Sequence, residues 1–236
     1  MSAMNRGLSL FNSASMPLRE FGSNSKVMNE KFKEMGIFTK SENVMRILGY
    51  QWQLDNDILS LSQVKFEVEN VCKRSMFSDF CSVYDPIGLI TPVSIRAKVV
   101  AQSCWSLGIQ WDPLVPEDIK TKWVEAVQDL TEALKLQHPR FIGTSLDDDI
   151  SLHIFADAGD KSLGAVAYLV GSNATCMFAS KAKVCQLKFE SFTTPHKELV
   201  AISVAARLAK FIITSVEGLL SFSSVVLWSD SSNALT

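Results

Sequence analysis

The sequence predicts an α/β fold for its C-terminal part, preceded by a hairpin and a mainly helical segment. After the acidic residues Asp147 to Asp149, three strand-like runs are followed by one long helical run and a last apolar run. This β-β-β-α-β order implies a mixed sheet whose last strand lies parallel to a neighbour after a helical crossover. The length of 236 residues and the 47% of hydrophobic residues allow one or two packed domains and exclude a disordered tail.

The N-terminal residues give the weakest signals. Residues 1–43 are polar with weak periodicity, and we expect them to be poorly ordered as an isolated segment. The next runs, 46–52 and 53–61, predict two short strands around the turn Asp55-Asn56-Asp57. We therefore expect a hairpin here and place the first region at 1–62.

The middle of the chain, 63–149, changes to helical spacing. The spacing begins at Val64, and four side chains mark the first helix before Asp85-Pro86-Ile87-Gly88 ends it: Phe77, Phe80, Cys81 and Tyr84. A second helix is predicted from Pro92 or Val93 to Trp105. After the break at Trp111-Asp112-Pro113, a third helix begins at Pro116 and shows one apolar face: Ile119, Trp123, Val127, Leu130 and Leu134. We expect the Trp and Phe residues of this region to pack in a core.

The C-terminal region, 150–236, has the clearest pattern. The predicted strands cover 151–156, 164–170 and 174–180. Thr194-Pro195 then opens a helix whose apolar run extends from 199 to 213, and 224–228 is predicted as a buried strand.

Charge and cysteine content exclude several classes of protein. Five cysteines without a C-x-x-C pair argue against a disulfide framework or a zinc site and favour a reducing compartment. The N-terminus lacks an apolar signal core, and Arg207 and Lys210 interrupt the longest apolar stretch. We therefore expect an intracellular protein, cytoplasmic or nuclear, without a membrane partner.

Three carboxylates of the C-terminal region occupy unusual positions. Asp157 and Asp230 each follow an apolar strand, so adjacent parallel strands would bring them to the same sheet edge, where open α/β sheets bind ligands. The polar stripe of the helix contains Ser203, Arg207, Lys210 and Thr214, whereas Glu198 lies on the apolar side that faces the sheet. We expect the three acids to share one edge.

Carboxylates gathered at one edge need compensation by cations, because an unpaired buried charge costs several kcal/mol. Hard oxygen donors suit Mg²⁺ or Mn²⁺, and two such ions can hold the attacking water and the leaving oxygen of a phosphodiester. Without these acids, residues 150–236 carry seven basic and three acidic residues, a net charge of +4 that suits a polyanion. The structural alternative stays open at this point: Asp is common after strands, and Glu198 in a first turn can oppose the helix dipole.

Several motifs resemble one family of mobile elements. The C-terminal blocks resemble the RNase H domain in Pol polyproteins of LTR retrotransposons, above all the BEL/Pao group: Phe155-Ala156-Asp157-Ala158-Gly159, Gly164 to Leu169, Pro195-His196-Lys197-Glu198-Leu199 and Leu227-Trp228-Ser229-Asp230-Ser231. Upstream blocks resemble the reverse-transcriptase palm end and thumb of the same family: Leu18 to Phe21, Ser23 to Ser25, Arg46 to Trp52, Lys73 to Phe77 and Tyr84 to Pro92.

The resemblance implies a function for each region. It makes 1–62 a palm remnant, 63–149 a thumb and connection, and 150–236 an RNase H-like domain. It matches Asp157, Glu198 and Asp230 to metal-binding carboxylates that use Mg²⁺, as two ions, to hydrolyse the RNA strand of an RNA–DNA hybrid. The implied partners are hybrid or duplex nucleic acid and the remainder of the Pol polyprotein.

Three departures from the family pattern lead to further expectations. The family's fourth acid, late histidine and closing elements have no counterpart before Thr236, so we expect a C-terminally truncated nuclease. No Tyr-x-Asp-Asp is present, so no polymerase site is expected. The family is also labelled a Pao retrotransposon peptidase, but the sequence contains no Asp-Thr-Gly or Asp-Ser-Gly, which argues against an aspartic peptidase. The other alternative is an inactive remnant that binds nucleic acid without cutting it.

Basic side chains near the acids are candidate phosphate contacts. Lys181 and Lys183 leave the third strand and could contact a nucleic-acid backbone, or could protect a solvated edge from aggregation. His196 and Lys197 precede Glu198 and could touch a phosphate. The remaining histidines, His138 and His153, are too dispersed to predict a metal site.

Overall fold

The computed structural model describes residues 2–18, 21–36, 43–141, 143, 149–187 and 192–231. Arg19, Glu20, Asp147 and Asp148, which belong to motifs above, lie outside the described residues. Contacts divide the chain into two compact units, Met1–Ser60 with His138–Arg140, and Leu61–Gln137 with Phe141–Thr236. The assignment of regions to a palm, thumb and connection stays a prediction.

The first unit contains two helices that the sequence did not predict. Helix α1 spans Ser2–Ser13 and α2 spans Lys26–Glu34. In the whole chain α2 is stabilised by Phe32, which is buried and whose ring lies 5.7 Å from that of Phe21, and the expectation of poor order in the isolated segment stays a prediction. Lys31 and Lys33 also lie in the last turn, where cations favour a helix. A polar composition hid these local signals.

The predicted hairpin is present but is part of a larger sheet. Strands β1 (Val44–Ile47), β2 (Tyr50–Gln53), β3 (Ile58–Leu61) and β4 (Gln137–Pro139) are neighbours in that order. The predicted strand 46–52 is interrupted because Leu48 and Gly49 both have positive φ, 47° and 85°, which is the conformation of a two-residue hairpin turn. The predicted Asp-Asn-Asp turn connects β2 to β3.

An ion pair stabilises this second turn. Arg140 donates to both carboxylate oxygens of Asp57, at 2.6 and 2.9 Å, and the Trp52 indole N–H donates to the same carboxylate at 2.8 Å. Burial raises the pKa of Asp57, but these hydrogen bonds outweigh it and hold the pKa below its usual value. The Arg140 guanidinium also lies over the Trp52 ring.

The second unit begins with three helices: α3 (Lys73–Ser82), α4 (Thr91–Ser106) and α5 (Glu117–Ala133). The second and third match their predictions, and the predicted face of α5 is buried. The helical pattern does not extend back to Val64, because the Glu67 carboxylate accepts N–H groups in a turn and Cys72 caps the helix at its start.

Only some of the aromatic side chains in these helices are buried in a core. Trp123 is fully buried, whereas Phe77, Trp105 and Trp111 are each about 40% exposed. The exposed rings pack on one another instead, with centroids 5.8 to 6.0 Å apart, and the ammonium of Lys73 lies 3.9 Å from the Trp105 ring centroid. Tilted and edge-to-face ring contacts, together with a cation, therefore take the place of burial here.

The C-terminal sheet has the predicted topology. Strands β5 (Ser151–Ala158), β6 (Ser162–Val170) and β7 (Thr175–Val184) are antiparallel neighbours, and helix α6 (Thr194–Ser215) leads to β8 (Ser224–Trp228). The sheet order is β7-β6-β5-β8, with β8 parallel to β5. One sheet face packs on α6 through a core that includes Leu152, Ile154, Ala167, Leu169, Ala201, Val204, Ala205, Leu208 and Ile212.

Strand β8 is more exposed than expected. The sequence predicts a buried strand, but Val225, Leu227 and Trp228 are 41%, 41% and 48% exposed. The reason is position, because β8 is the outer strand and no described residue pairs with its other edge.

The motif Asp85-Pro86-Ile87-Gly88 joins the helices to the sheet. The Asp85 carboxylate accepts hydrogen bonds from the N–H groups of Gly88, Leu89 and Ile90 and so fixes the turn before α4. The Ser180 N–H of β7 donates to the Ile87 carbonyl at 2.8 Å. The helices and the sheet consequently form one unit.

All five cysteines are free. Within the described ranges, no helix is long and apolar enough to cross a membrane.

Candidate active site

Asp157 lies at the carboxyl end of β5, one residue before its last. Side chains alternate along this strand, so Leu152, Ile154 and Ala156 face the core and Asp157 projects from the opposite face, where it is exposed. One of its carboxylate oxygens accepts the N–H of Ala158 at 2.7 Å. The second oxygen has no protein donor among the described residues.

Asp230 reaches the same sheet edge through the parallel pairing of β8 with β5. The last residue pair in this register is Phe155 with Trp228. Asp157 and Asp230 therefore each lie two residues beyond the same pair. Both line a cavity of about 790 Å³. The structure thus places these two acids at one edge, which is where the strand order puts them.

Glu198 lies in the second turn of α6 and is half-buried. Its carboxylate accepts a short hydrogen bond from the hydroxyl of Ser231, the residue that follows Asp230. Ser231 is only 4% exposed, and its N–H donates to the Ser229 hydroxyl at 3.2 Å. Glu198 is therefore connected to the segment that carries Asp230, although it does not line the cavity of the two aspartates.

The three acids are associated in pairs rather than as one cluster. Asp157 and Asp230 share a cavity, and Glu198 is linked to the residue next to Asp230. Among the residues that the structure describes, no group of three or more His, Cys, Asp or Glu side chains is close enough together to hold a metal ion. The roles of the three acids therefore stay a prediction.

Part of the cavity wall comes from outside the sheet. Thr91, Pro92 and Ile95 of α4 line it opposite strand residues such as Tyr168 and Lys181. The sequence assigned α4 to a separate region and so missed this wall. The wall depends on the contact between α4 and β7, which leaves no local signal in the sequence.

Sequence reasoning also missed an aromatic stack beside the acids. Trp228 stacks on Phe155 and on His153, with ring centroids 5.9 Å apart in both pairs. The Trp228 indole N–H donates to Nδ1 of His153 at 2.9 Å, so the imidazole accepts at that nitrogen. The alternation of His153, Phe155 and Asp157 along β5 was the signal that would have placed these rings on the face of the acid.

The candidate phosphate contacts differ in their surroundings. Lys181 and Lys183 are exposed on β7, and Lys181 lines the cavity of the acids. His196 is exposed and packs on the Phe192 ring, with centroids 4.3 Å apart. The side chain of Lys197 is only 12% exposed, and its ammonium lies 3.5 Å from the backbone carbonyl and 4.0 Å from the carboxylate of Asp160. Lys197 is thus engaged with the β5–β6 turn.

The sequence matches a known protein family. A family model described as a Pao retrotransposon-like RNase H-like domain matches residues 72–231, about two thirds of the chain. This match begins before α3 and continues through β8. No curated protein matches the sequence.

The solved structures that match this chain include foamy viral protease–reverse transcriptases. One, called dRH and in complex with double-stranded DNA, has 14% identity and a TM-score of 0.45, and the match covers 89% of this chain and 37% of that chain. Another, in complex with an RNA/DNA hybrid, has 12% identity and a TM-score of 0.48, with 89% and 28% covered. The chain thus spans well under half the length of these two proteins.

Proposed function

The chain belongs to the family of Pao retrotransposon-like RNase H-like domains, and from this premise we propose that it hydrolyses the RNA strand of an RNA–DNA hybrid in a metal-dependent reaction. The observation that carries the proposal is the equal register of Asp157 and Asp230 at the carboxyl ends of β5 and β8. Two carboxylates at this edge, beside an open cavity, suit a ligand that is bound where parallel strands end.

The donor set is chemically suited to a divalent cation. Carboxylate oxygens are the hard ligands that Mg²⁺ and Mn²⁺ take, and Asp157, Glu198 and Asp230 would hold the two ions that the family resemblance implies. When bound, such ions would activate a water molecule and offset charge on the leaving oxygen. Two of the three donors already line one cavity, and the Ser231 hydroxyl holds the third beside the segment of Asp230.

The protein's own residues would orient the site and the substrate. Ser231 acts as a positioning residue, since its buried hydroxyl fixes the Glu198 carboxylate. The rings of Phe155 and Trp228 offer an apolar surface next to the acids, on which sugars or bases can pack. Lys181 and Lys183 of β7 would contact phosphates from the other face of the sheet, since their register partners Ala165 and Leu163 face the core and Asp157 faces away from it. The intracellular location and the remainder of a Pol polyprotein as partner complete the proposal.

The peptidase alternative has no support. The matching family model describes an RNase H-like domain, and the described residues provide no feature that favours proteolysis. The binding-only alternative has one observation in its favour, because the three acids do not form a single cluster among the described residues. The two remaining functions differ in one measurable property, which is cleavage.

Cleavage of a labelled hybrid by the purified full chain in Mn²⁺ tests the proposal. We expect Asp157→Asn to reduce the cleavage rate at least about 100-fold, the scale seen when one charge-stabilising group is removed from an active site. Glu125→Gln is the matched control, because Glu125 is an exposed carboxylate on α5 away from the cavity, and it should cleave like the wild type. Binding of the hybrid without cleavage by the wild-type chain would establish the binding-only alternative instead.

A further inference from the structure

The segment that carries Asp230 continues beyond the paired part of β8. The parallel register of β5 with β8 ends at Phe155 and Trp228, so Ser229 and Asp230 lie past the last residue pair. Asp157, by contrast, still lies within β5 and pairs with β6. The sheet therefore fixes one of the two cavity acids directly, and the place of the other depends on side-chain contacts around it.

One of these contacts holds the segment from its C-terminal side. The buried hydroxyl of Ser231 donates to the Glu198 carboxylate of α6. This hydrogen bond lies one residue after Asp230 and attaches the segment to the helix that carries the third acid. It does not involve β5, the strand of Asp157.

A second contact holds the segment from its N-terminal side. Trp228 is the last residue of β8, and its indole N–H donates to Nδ1 of His153 at 2.9 Å. Its ring also stacks on Phe155 with an interplanar angle of 9°. His153, Phe155 and Asp157 alternate with buried residues along β5 and so share one face of the sheet. Trp228 is thereby attached to the strand and the face that carry Asp157.

The imidazole of His153 is itself held in one orientation. An indole N–H can only donate, so Nδ1 accepts and the ring proton of the neutral imidazole is on Nε2. Nε2 lies 3.1 Å from the hydroxyl of Ser151, which donates to the Val170 carbonyl of β6 at 3.3 Å. A chain of polar contacts therefore crosses from β6 through β5 and ends at Trp228 of β8.

The hydrogen bond is the more specific part of this attachment. Trp228 is 48% exposed, so burial alone does not fix its ring. Ring stacking tolerates several offsets, whereas a hydrogen bond restricts both the distance and the direction of its partners. His153 rather than Phe155 therefore sets where the indole, and with it the end of β8, lies.

We propose that His153 is a positioning residue of the candidate site, which sets the place of Asp230 relative to Asp157 by holding the Trp228 indole. The proposal rests on the proposed function for the reaction that these acids serve. His153 does not line the cavity of the acids, so it acts through Trp228, which does. Such an effect is large enough to measure, because a misplacement of about 1 Å in an active site can lower a rate about 100-fold.

Three variants separate the hydrogen bond from ring packing. His153→Leu keeps most of the side-chain volume and removes the acceptor. His153→Asn keeps an acceptor oxygen close to the place of Nδ1, since both atoms are bonded to Cγ. Trp228→Phe keeps a ring beside Phe155 and removes the donor. His138→Leu is the matched control, because His138 belongs to the other compact unit.

Backbone dynamics test the positioning without catalysis. The order parameters of the Ser229 and Asp230 amides are measured by ¹⁵N relaxation in EDTA. We expect values of about 0.85 in the wild type and in His153→Asn, and values below about 0.6 in His153→Leu and Trp228→Phe. Wild-type order parameters in His153→Leu and Trp228→Phe would overturn the proposal, whether or not the wild type cleaves a hybrid.

Binding of Mn²⁺ gives a second readout besides activity. Free Mn²⁺ has an electron paramagnetic resonance signal that broadens on binding, so its affinity is measured without a hybrid. We expect His153→Leu to bind Mn²⁺ at least about tenfold more weakly and to lower kcat about 10- to 100-fold, with KM for the hybrid nearly unchanged. His153→Asn should stay within about threefold of the wild type in each quantity, and His138→Leu should equal the wild type.

The outcomes separate this proposal from the proposed function. If the wild type neither binds Mn²⁺ nor cleaves, the proposed function fails, and a loss of order in His153→Leu still supports His153 as a positioning residue. If the wild type cleaves and His153→Leu has the same kcat, the proposed function stands and the role of His153 is overturned. Should His153→Leu fail to fold, as judged by thermal melting, Trp228→Phe decides, because that ring is about half exposed.

Discussion

The two outer strands of the four-stranded sheet, β7 and β8, differ in what lies against their edges. At β7, the Ser180 N–H donates to the Ile87 carbonyl, and the Ser180 hydroxyl donates to the Gly88 carbonyl at 2.5 Å. At β8, no described residue pairs with the outer edge, and several apolar side chains are about 40% exposed. An unpaired strand edge readily pairs with other chains, so natural proteins usually cover it.

The two outer strands therefore contact different sequence motifs. The Asp-Pro-Ile-Gly turn closes the β7 edge and attaches the helices α3 to α5 to the sheet, so its role is structural. Asp230 lies two residues beyond the end of β8 and lines the same cavity as Asp157, at the carboxyl ends of the two strands. The family match spans the helices and the sheet together, in agreement with their forming one compact unit.

We expect the largest loss of stability from Gly88→Val, at the covered edge of β7. Gly88 has φ of +79°, and a Cβ there would lie 2.2 Å from the Ser180 carbonyl oxygen. Left-handed strain costs about 1–2 kcal/mol, and the clash with backbone adds to it. We expect the variant to lose about 3 kcal/mol or more of unfolding free energy, measured by urea denaturation.

Gly108→Val is the matched control for the strain alone. Gly108 also has positive φ, +65°, but nothing lies within 4 Å of the position of its Cβ. It should therefore lose only the strain energy of about 1–2 kcal/mol. Equal losses for the two variants would show that the close approach of Gly88 to β7 is not what stabilises this edge.

A smaller effect is expected from Asp85→Ala, which removes the acceptor for three backbone N–H groups in the same turn. Hydrogen bonds to charged groups contribute about 1.5–3 kcal/mol each, and water can replace part of them at this half-buried site. We expect a loss of about 2 kcal/mol, together with faster hydrogen exchange of the Ile90 amide.

Asp112→Ala is the comparison for Asp85→Ala. The Asp112 carboxylate accepts from Arg74 at 2.7 Å, but both side chains are largely exposed. Exposed ion pairs contribute little to stability, so its effect should be clearly the smaller. A larger loss for Asp112→Ala would mean that the Asp85 turn is dispensable.

The sequence predicted the sheet well because its signals are local. Alternation in β5 and β6, and Thr194-Pro195 at the start of α6, are properties of short segments. The parallel pairing of β8 with β5 then follows from the order of elements. The common edge of Asp157 and Asp230 was therefore predictable without coordinates.

The remaining features depend on contacts between distant segments. The docking of Gly88 on Ser180 joins residues 92 positions apart, and the hydrogen bond from Ser231 to Glu198 spans 33 positions. Neither of these contacts leaves a periodic pattern in the sequence. The exposure of Trp105 and Trp111 was also missed, because spacing shows which side chains share a face but not whether another element covers it.

We expect the smallest loss of stability from Val225→Lys, at the unpaired outer edge of β8. Val225 is 41% exposed on the outer strand, and most substitutions at such positions change stability by less than about 0.5 kcal/mol. Its register partner on β5, Leu152, is fully buried, and Leu152→Ala should cost about 2–5 kcal/mol. Urea denaturation of the two variants measures the contrast directly. A loss of more than 2 kcal/mol for Val225→Lys would mean that the outer edge of β8 is covered, and the contrast between β7 and β8 would then be wrong.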